Sequence, residues 1–279
     1  MTTHTEATSH LSPLMRVMQF AARKASRNLL RDFGELEHIQ VSRKGPADFV
    51  SRADKKAEET IIESLLRDRP GYSILAEECG EIKGTDKTHK FIIDPLDGTT
   101  NFLHGIPHFA ISIALEREID NNPKELVAGV IYNPITDEMF FAEKNKGAFL
   151  NDGTRGGGDR RLRPAKRDIF ANAIFATGIP FLGRPGHTKF LKELHQVMGR
   201  SAGVRRMGSA ALDLAWTAAG RYDGFWERGL DVWDIAAGVL IAREAGLRVE
   251  SLTQGDVLDT GDIIATNEML HEPLLKNLS

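Results

Sequence analysis

The sequence holds one cysteine, Cys79, in 279 residues. No disulfide can form within the chain, so a reducing compartment is expected. No uninterrupted apolar run approaches the roughly 18 residues that a bilayer-spanning helix needs. The N-terminus, MTTHTEATSHLSP, has no basic segment followed by an apolar one and does not read as a secretory signal. Neither sign of charge dominates: 36 Lys and Arg against 39 Asp and Glu leave a net −3. That balance makes no global electrostatic case for nucleic acid. The nine histidines are scattered, and none sits in HExxH or HxH spacing, which argues against a zinc hydrolase. There is no internal repeat and no low-complexity tract. What remains is an ordinary soluble composition, 41% apolar and 27% charged, long enough for one large or two smaller domains. A cytoplasmic α/β protein is the expectation.

Along the chain, residues 1–12 are polar and expected to be loose. From Pro13, the residues Leu14, Val17, Met18, Ala21, Ala22, Ala25 and Leu29 recur at helical spacing. KGPADF (44–49) reads as a turn or mobile loop. Ser51 reads as the N-cap of a second helix, with Ala53, Ala57, Ile61 and Leu65 as its apolar stripe. RPGYSILAEE reads as a turn, a short strand and an acidic end. Phe91–Asp94 reads as a buried strand. HFAISIALE (108–116), ELVAGVIYN (125–133), DEMFFAE (137–143) and GAFLN (147–151) follow as strands with short connections, which predicts antiparallel pairing. NDGTRGGGDRRLRPAKRD (151–168) reads as an exposed loop and a subdomain boundary. Beyond it, IFATG (174–178), YDGFWE (222–227), LRVES and DIIATN read as strands. Helices are expected near 186–199, after Gly208, over about 232–246 and from Glu268. The fold class is α/β (α+β), in alternating layers of helix and sheet. The division is an N-terminal α+β subdomain, 1–150, and a C-terminal α/β subdomain, 151–279.

The carboxylates carry the chemistry. Glu77 and Glu78 end the SILA strand. Asp94 and Asp97 end the next, in IIDPLDGTTNF. Asp234 opens a helix that is apolar all round, and such a helix is usually buried. A buried, unpaired carboxylate costs several kcal/mol. No lysine run stands beside these acids, so a bound cation is an economical partner. All-oxygen sites favour Mg²⁺ or Mn²⁺. Pro95 stiffens the bend between Asp94 and Asp97 and keeps Asp94 extended. The bend also offers the Leu96 carbonyl as a hard ligand. Gly98-Thr99-Thr100 supplies backbone N–H groups, and a helix starting there would present its positive end to an anion. A cation site beside a phosphate cradle is what metal-assisted phosphate-ester hydrolysis requires. Each piece also has a plainer reading. DPLDGTT alone can be turn chemistry. Asp231 and Asp234 can be an N-cap and an N3 acid. Glu77 and Glu78 alone can be solvated acids. The functional reading rests on the joint pattern.

That pattern resembles the inositol monophosphatase family from about residue 14 to 270, most closely its bacterial inositol-1-monophosphatase branch. AEE (76–78), IIDPLDGTTNF (92–102) and LDVWDIAAG (230–238) occur in the family's order. NFLHGIPHFAISIALE and GSAALDLAWTAAGRYDGFWE match as well. The resemblance implies a layered αβαβα sandwich with two or three Mg²⁺ ions. It implies Glu77, Asp94, the Leu96 carbonyl, Asp97 and Asp234 as metal ligands. Thr99 and Glu77 would activate the attacking water, with Asp54 supporting Thr99. Gly98 and Thr99 would hold phosphate through backbone N–H groups. Gly208, Ser209, Ala210 and Glu227 would line the sugar-alcohol pocket, with Arg205 at its rim. As metal- or phosphate-side groups, Glu77, Leu96, Asp97 and Asp234 would face the substrate too. Lys44 resembles a residue on a mobile loop that closes over a third, weaker metal.

The activity implied is Mg²⁺-dependent hydrolysis of myo-inositol 1-phosphate, sensitive to lithium, by a cytoplasmic homodimer. The alternatives are fructose-1,6-bisphosphatase, 3′-phosphoadenosine phosphate phosphatase and histidinol-phosphate phosphatase. A further alternative is a binding protein of transcription or ribosome biogenesis, with catalysis secondary. In that case the arginines and the 151–168 loop would make the contacts, with nucleic acid or a transcription factor as partner.

Overall fold

The computed structural model describes residues 11–35, 46–118, 123–153, 158–180 and 184–278, apart from the side chains of 46–51. Helix α1 (Pro13–Gly34) starts where Ser12 Oγ accepts the Met15 N–H at 3.1 Å, with proline in the first turn. Its buried face is Met15, Met18, Ala21, Ala22, Ala25 and Leu29. Helix α2 (Pro46–Asp68) buries Ala53, Ala57, Ile61 and Leu65, one residue per turn. Ser51 lies inside α2 and does not cap it. The helix extends back to Pro46, whose fixed φ suits a first turn. Pro46 to Phe49 are therefore helical and not a loop.

The first sheet has eight strands in the order β2-β1-β3-β4-β5-β6-β7-β8. These are β1 (Ser73–Ala76), β2 (Gly80–Ile82), β3 (His89–Asp97), β4 (Ala110–Arg117), β5 (Glu125–Asn133), β6 (Glu138–Glu143), β7 (Gly147–Asn151) and β8 (Arg160–Arg161). From β3 to β8 every neighbour is antiparallel, as the short connections predict, while β1 runs parallel to β3. The second sheet has the order β10-β9-β11-β13-β12. It comprises β9 (Ile174–Thr177), β10 (Gly203–Arg205), β11 (Gly224–Glu227), β12 (Arg248–Ser251) and β13 (Ile263–Thr266).

Three apolar cores define five layers. α1 and α2 cover one face of the first sheet, through Phe91, Ile93, Ile111 and Ile113 on the strands. Between the sheets lie α5 (Ala210–Ala218) and α6 (Val232–Ala245), packed against Ile92, Ile131 and Phe140 on one side and Ala176, Phe225 and Ile263 on the other. α4 (His187–Met198) and α8 (Glu268–Asn277), which the chain reaches after the short α3 (Thr99–Leu103), cover the far side. There Phe175, Trp226 and Ile264 meet Val197, Leu270 and Leu274. The two-residue alternation of a strand separates Phe225 from Trp226 and Ile263 from Ile264 onto opposite faces. A last short helix, α7 (Val257–Thr260), follows β12. The fold is a layered αβαβα sandwich. Among the described residues no helix is long and apolar enough to cross a membrane.

Candidate active site

Strand β3 delivers the first two acids. Its register against β4 shifts between Asp94 and Asp97, so the backbone bulges at Pro95-Leu96. Asp94 Oδ1 accepts the Leu96 N–H at 2.9 Å, which fixes the bend from within. Gly98 turns the chain at φ 94°, a region where a β-carbon is strained, and α3 begins at Thr99. Thr99 Oγ1 donates to the Leu96 carbonyl at 3.0 Å. A β-carbon at Gly98 would stand 3.3 Å from the Gly208 carbonyl, so the cradle lies directly against the segment before α5.

The later residues arrive through specific anchors. Asp97 accepts Ser209 Oγ at 2.5 Å and the Ala211 N–H at 2.8 Å, which ties β3 to the start of α5. Ser209 also accepts the Leu212 N–H, so it caps the helix as well as holding the acid. Asn101 Nδ2 donates to the carbonyls of His108 and Met207, both at 2.8 Å. Asp234 reaches the same place because α6 starts beside β4: Ser112, paired with Asp94 in the sheet, donates to the Trp233 carbonyl at 3.3 Å. Asp234 Oδ2 accepts the Asp231 N–H at 2.8 Å, so the capping role and the site role coincide in one side chain. Glu77 follows β1, and its N–H donates to the carbonyl of Ile93, next to Asp94.

Four carboxylates from three segments thus share one region, and their proton affinities record it. Burial pushes Asp94 well above the usual carboxylate range, and Asp97, Glu77 and Asp234 push it further. Burial raises Glu77 to about 7, against a hydrogen bond with Asp94 that lowers it. Asp234 rises to about 7 through burial and the charge of Asp97. Asp97 rises only to about 6, because Ser209 and Ala211 favour its charged form against burial. Glu227, at the end of β11, rises to about 8 through burial, then through Asp97 and Asp234. The cations whose charge reaches Glu227 are Arg206 and Arg184.

No three His, Cys, Asp or Glu side chains among the described residues are already drawn tightly enough to hold an ion. The acids converge without closing. Like charges so placed repel unless a cation sits between them. Carboxylates and a bent-out carbonyl form an all-oxygen donor set, which fits a hard divalent cation.

Asp54 is buried on α2 among Glu58, Glu77 and Glu78. Burial first, then those charges, raise it to about 8. Its Oδ1 has no hydrogen-bond partner, and the Thr99 hydroxyl turns to Leu96, so the structure does not join Asp54 to Thr99. Arg205 ends β10 with an exposed side chain that donates to the Val204 carbonyl at 3.1 Å. Gly208 and Ala210 flank Ser209 at the Asp97 anchor. Lys44 lies outside the described residues.

Sequence reasoning passed over several residues. Glu58 accepts the N–H groups of Glu78 at 2.9 Å and Cys79 at 3.0 Å, and so fixes the turn that carries Glu77. Its one signal is its place one turn after Asp54 on the buried face of α2. Asn101 stood in the quoted motif without a role. Gly178 packs so closely on Glu227 that a β-carbon there would fall 1.7 Å from Oε1.

A profile of the Inositol monophosphatase family matches residues 10–279. An inositol-1-monophosphatase of Caulobacter vibrioides is 56% identical over 260 residues, covering 92% of this chain and 98% of that protein. The Nus factor SuhB of Escherichia coli is 39% identical and covers 96% of each chain. The crystal structure of extragenic suppressor protein suhB from Bartonella henselae superposes with a TM-score of 0.84 at 52% identity, over 96% of this chain and 99% of that one.

Proposed function

Because this chain belongs to the inositol monophosphatase family, we propose that it hydrolyses myo-inositol 1-phosphate to inositol and phosphate with the help of Mg²⁺. The observation that carries the reading is the convergence of Glu77, Asp94, Asp97 and Asp234, whose proton affinities burial and mutual charge raise, with Arg184 reaching only Asp234 among the described residues. These four and the Leu96 carbonyl would hold two or three Mg²⁺ ions, or Mn²⁺ in their stead. When bound, such ions supply Lewis acidity that acidifies a water and offsets the charge of the phosphate.

The residues of the chain divide the remaining work. Gly98 and Thr99 offer backbone N–H groups at the start of α3 to the phosphate oxygens. The Thr99 hydroxyl spends its proton on Leu96, so toward an incoming water it can act only as an acceptor. Glu77, next to Asp94 at the end of β1, is the carboxylate suited to take a proton from that water. The water oxygen forms the new bond to phosphorus. The ester P–O bond breaks, and the inositol oxygen leaves and collects a proton. Glu227 accepts hydrogen bonds from ring hydroxyls, beside the wall formed by Gly208, Ser209 and Ala210. Asp97 stays rigid because Ser209 and Ala211 hold it. The reading extends to a homodimer in a reducing compartment, where the exposed Cys79 thiol stays free.

The test is phosphate release from inositol 1-phosphate, fructose 1,6-bisphosphate, 3′-phosphoadenosine 5′-phosphate and histidinol phosphate, with and without Mg²⁺. Inositol 1-phosphate should be preferred, and chelation should abolish turnover. Equal rates without divalent metal would sink the mechanism, and a preference for the nucleotide would sink the substrate. The similarity to a Nus factor favours a second reading, a binding role in transcription. Asp94→Asn separates the two, since partner binding would survive the loss of phosphatase activity.

A further inference from the structure

Asn101 lies on the short helix α3, four residues after Asp97, and is 5% exposed. Its amide nitrogen donates to three main-chain carbonyls: His108 and Met207 at 2.8 Å each, and Gly208 at 3.4 Å. Only a donor fits there, and two amide protons serve three acceptors. Two of these carbonyls, His108 and Gly208, are also the ones that close on Gly98. A β-carbon on Gly98 would stand 3.1 Å from the first and 3.3 Å from the second. One side chain thus gathers the carbonyls packed around the residue next to Asp97. The main chain of Asn101 adds to the hold, since its own carbonyl accepts the Ile106 N–H at 2.8 Å.

The effect continues along the chain from Gly208. The next residue, Ser209, donates to Asp97 at 2.5 Å, and the Ala211 N–H donates at 2.8 Å. Both bonds fall on Oδ2, so they set how that carboxylate is turned. Gly208 adopts φ 83° and has no side chain to fix it, so its place depends on what its carbonyl and its neighbours bond to. Asn101, 106 residues before Met207, supplies those bonds.

We propose that Asn101 is a positioning residue for the divalent cation that Asp97 would hold. The amide fixes the Met207-Gly208 backbone, that backbone places Ser209 and Ala211, and those two orient the Asp97 carboxylate. A ligand held in place beforehand loses less freedom on binding than one that must first be ordered. Asn101 therefore raises cation affinity without entering the ligand set. The inference rests on the metal-dependent reading proposed above.

The test is isothermal titration of Mg²⁺ into the full chain, read beside steady-state phosphate release. Asn101→Leu keeps the size of the side chain and removes its donors. It should weaken Mg²⁺ binding roughly tenfold, the scale on which groups behind metal ligands act. Phosphate release from inositol 1-phosphate should fall at limiting Mg²⁺ and return to within about twofold at saturation. Asn101→Ser, whose hydroxyl retains one donor, should fall between the two. The double variant Asn101→Leu with Ser209→Ala should bind Mg²⁺ no more than about twofold more weakly than the weaker single variant, because both changes act through Asp97. Binding within about twofold of the wild type in folded Asn101→Leu overturns the proposal, and so does a double variant whose losses multiply. If Asn101→Leu does not fold, Asn101→Ser, alone and combined with Ser209→Ala, is judged by the same two results. A wild type that binds no Mg²⁺ overturns the proposal together with the metal reading. A wild type that binds Mg²⁺ but releases no phosphate overturns the activity alone, and the binding comparison still decides the role of Asn101.

Discussion

Glu227→Gln should stabilise the metal-free protein at pH 8 and do almost nothing at pH 5. Glu227 stands at the end of β11 with the backbone of Gly178 pressed against it. Burial, Asp97 and Asp234 raise it from 4.5 to about 8. The folded-state value lies above the unfolded one, so the folded chain binds this proton more tightly. The associated stability is complete below about pH 4.5 and is lost as pH rises through about 8. At ~1.4 kcal/mol per pH unit, the loss reached at pH 8 has a ceiling of about 4 kcal/mol. Water penetration and an effective dielectric near 20 reduce that, and about 2 kcal/mol is the working figure. Glutamine has nearly the same shape and no proton to lose, so it escapes the penalty. For a chain of this size, about 2 kcal/mol corresponds to a rise of roughly 4–8 °C in melting temperature. The assay is thermal unfolding of both proteins in EDTA at pH 5 and pH 8. An equal shift at both pH values would refute the electrostatic account, and so would no shift at pH 8.

Two further substitutions probe the frame. Gly178→Ala places a β-carbon where the Glu227 carboxylate now sits, so that side chain must swing away. Overpacking should cost about 1–3 kcal/mol, and KM for inositol 1-phosphate should rise; a normal KM would detach Glu227 from substrate binding. Asp223→Ala removes a carboxylate that Arg167 grips through Nε at 2.7 and 2.9 Å and that accepts the Ile174 N–H at 2.8 Å. Because Arg167 is itself half-exposed, the cost should be about 2 kcal/mol, mostly from the orphaned N–H, and denaturant unfolding that shows less than half of this would make the bridge ornamental.

Elements with a strong apolar period were legible in the sequence. ELVAGVIYN and GAFLN became β5 and β7 without adjustment, and the stripe from Met18 to Leu29 became the buried face of α1. β8 was not legible, because Arg160-Arg161 has no apolar alternation and exists only by pairing with the edge of β7. Ser51 misled because it has the chemistry of a cap, while the decision lay with Pro46, five residues earlier.

The same division runs through the site. Acids such as Asp94 and Asp234 stand out because a carboxylate in apolar company is costly, and cost can be read locally. What holds them cannot be read so. The partners of Asp97 are Ser209 and Ala211, more than a hundred residues away, and Ser112 meets the Trp233 carbonyl across a similar gap. Arg205 and Arg206 share charge, type and neighbourhood, and the family resemblance put Arg205 at the rim of the pocket. Their separation is a matter of direction. Arg205 is the last residue of β10 and turns back to Val204, while Arg206 is the first beyond it and crosses Gly208. A one-residue step at a strand end therefore determines which guanidinium lies against Gly208, and only the tertiary position of Gly208 makes that step visible.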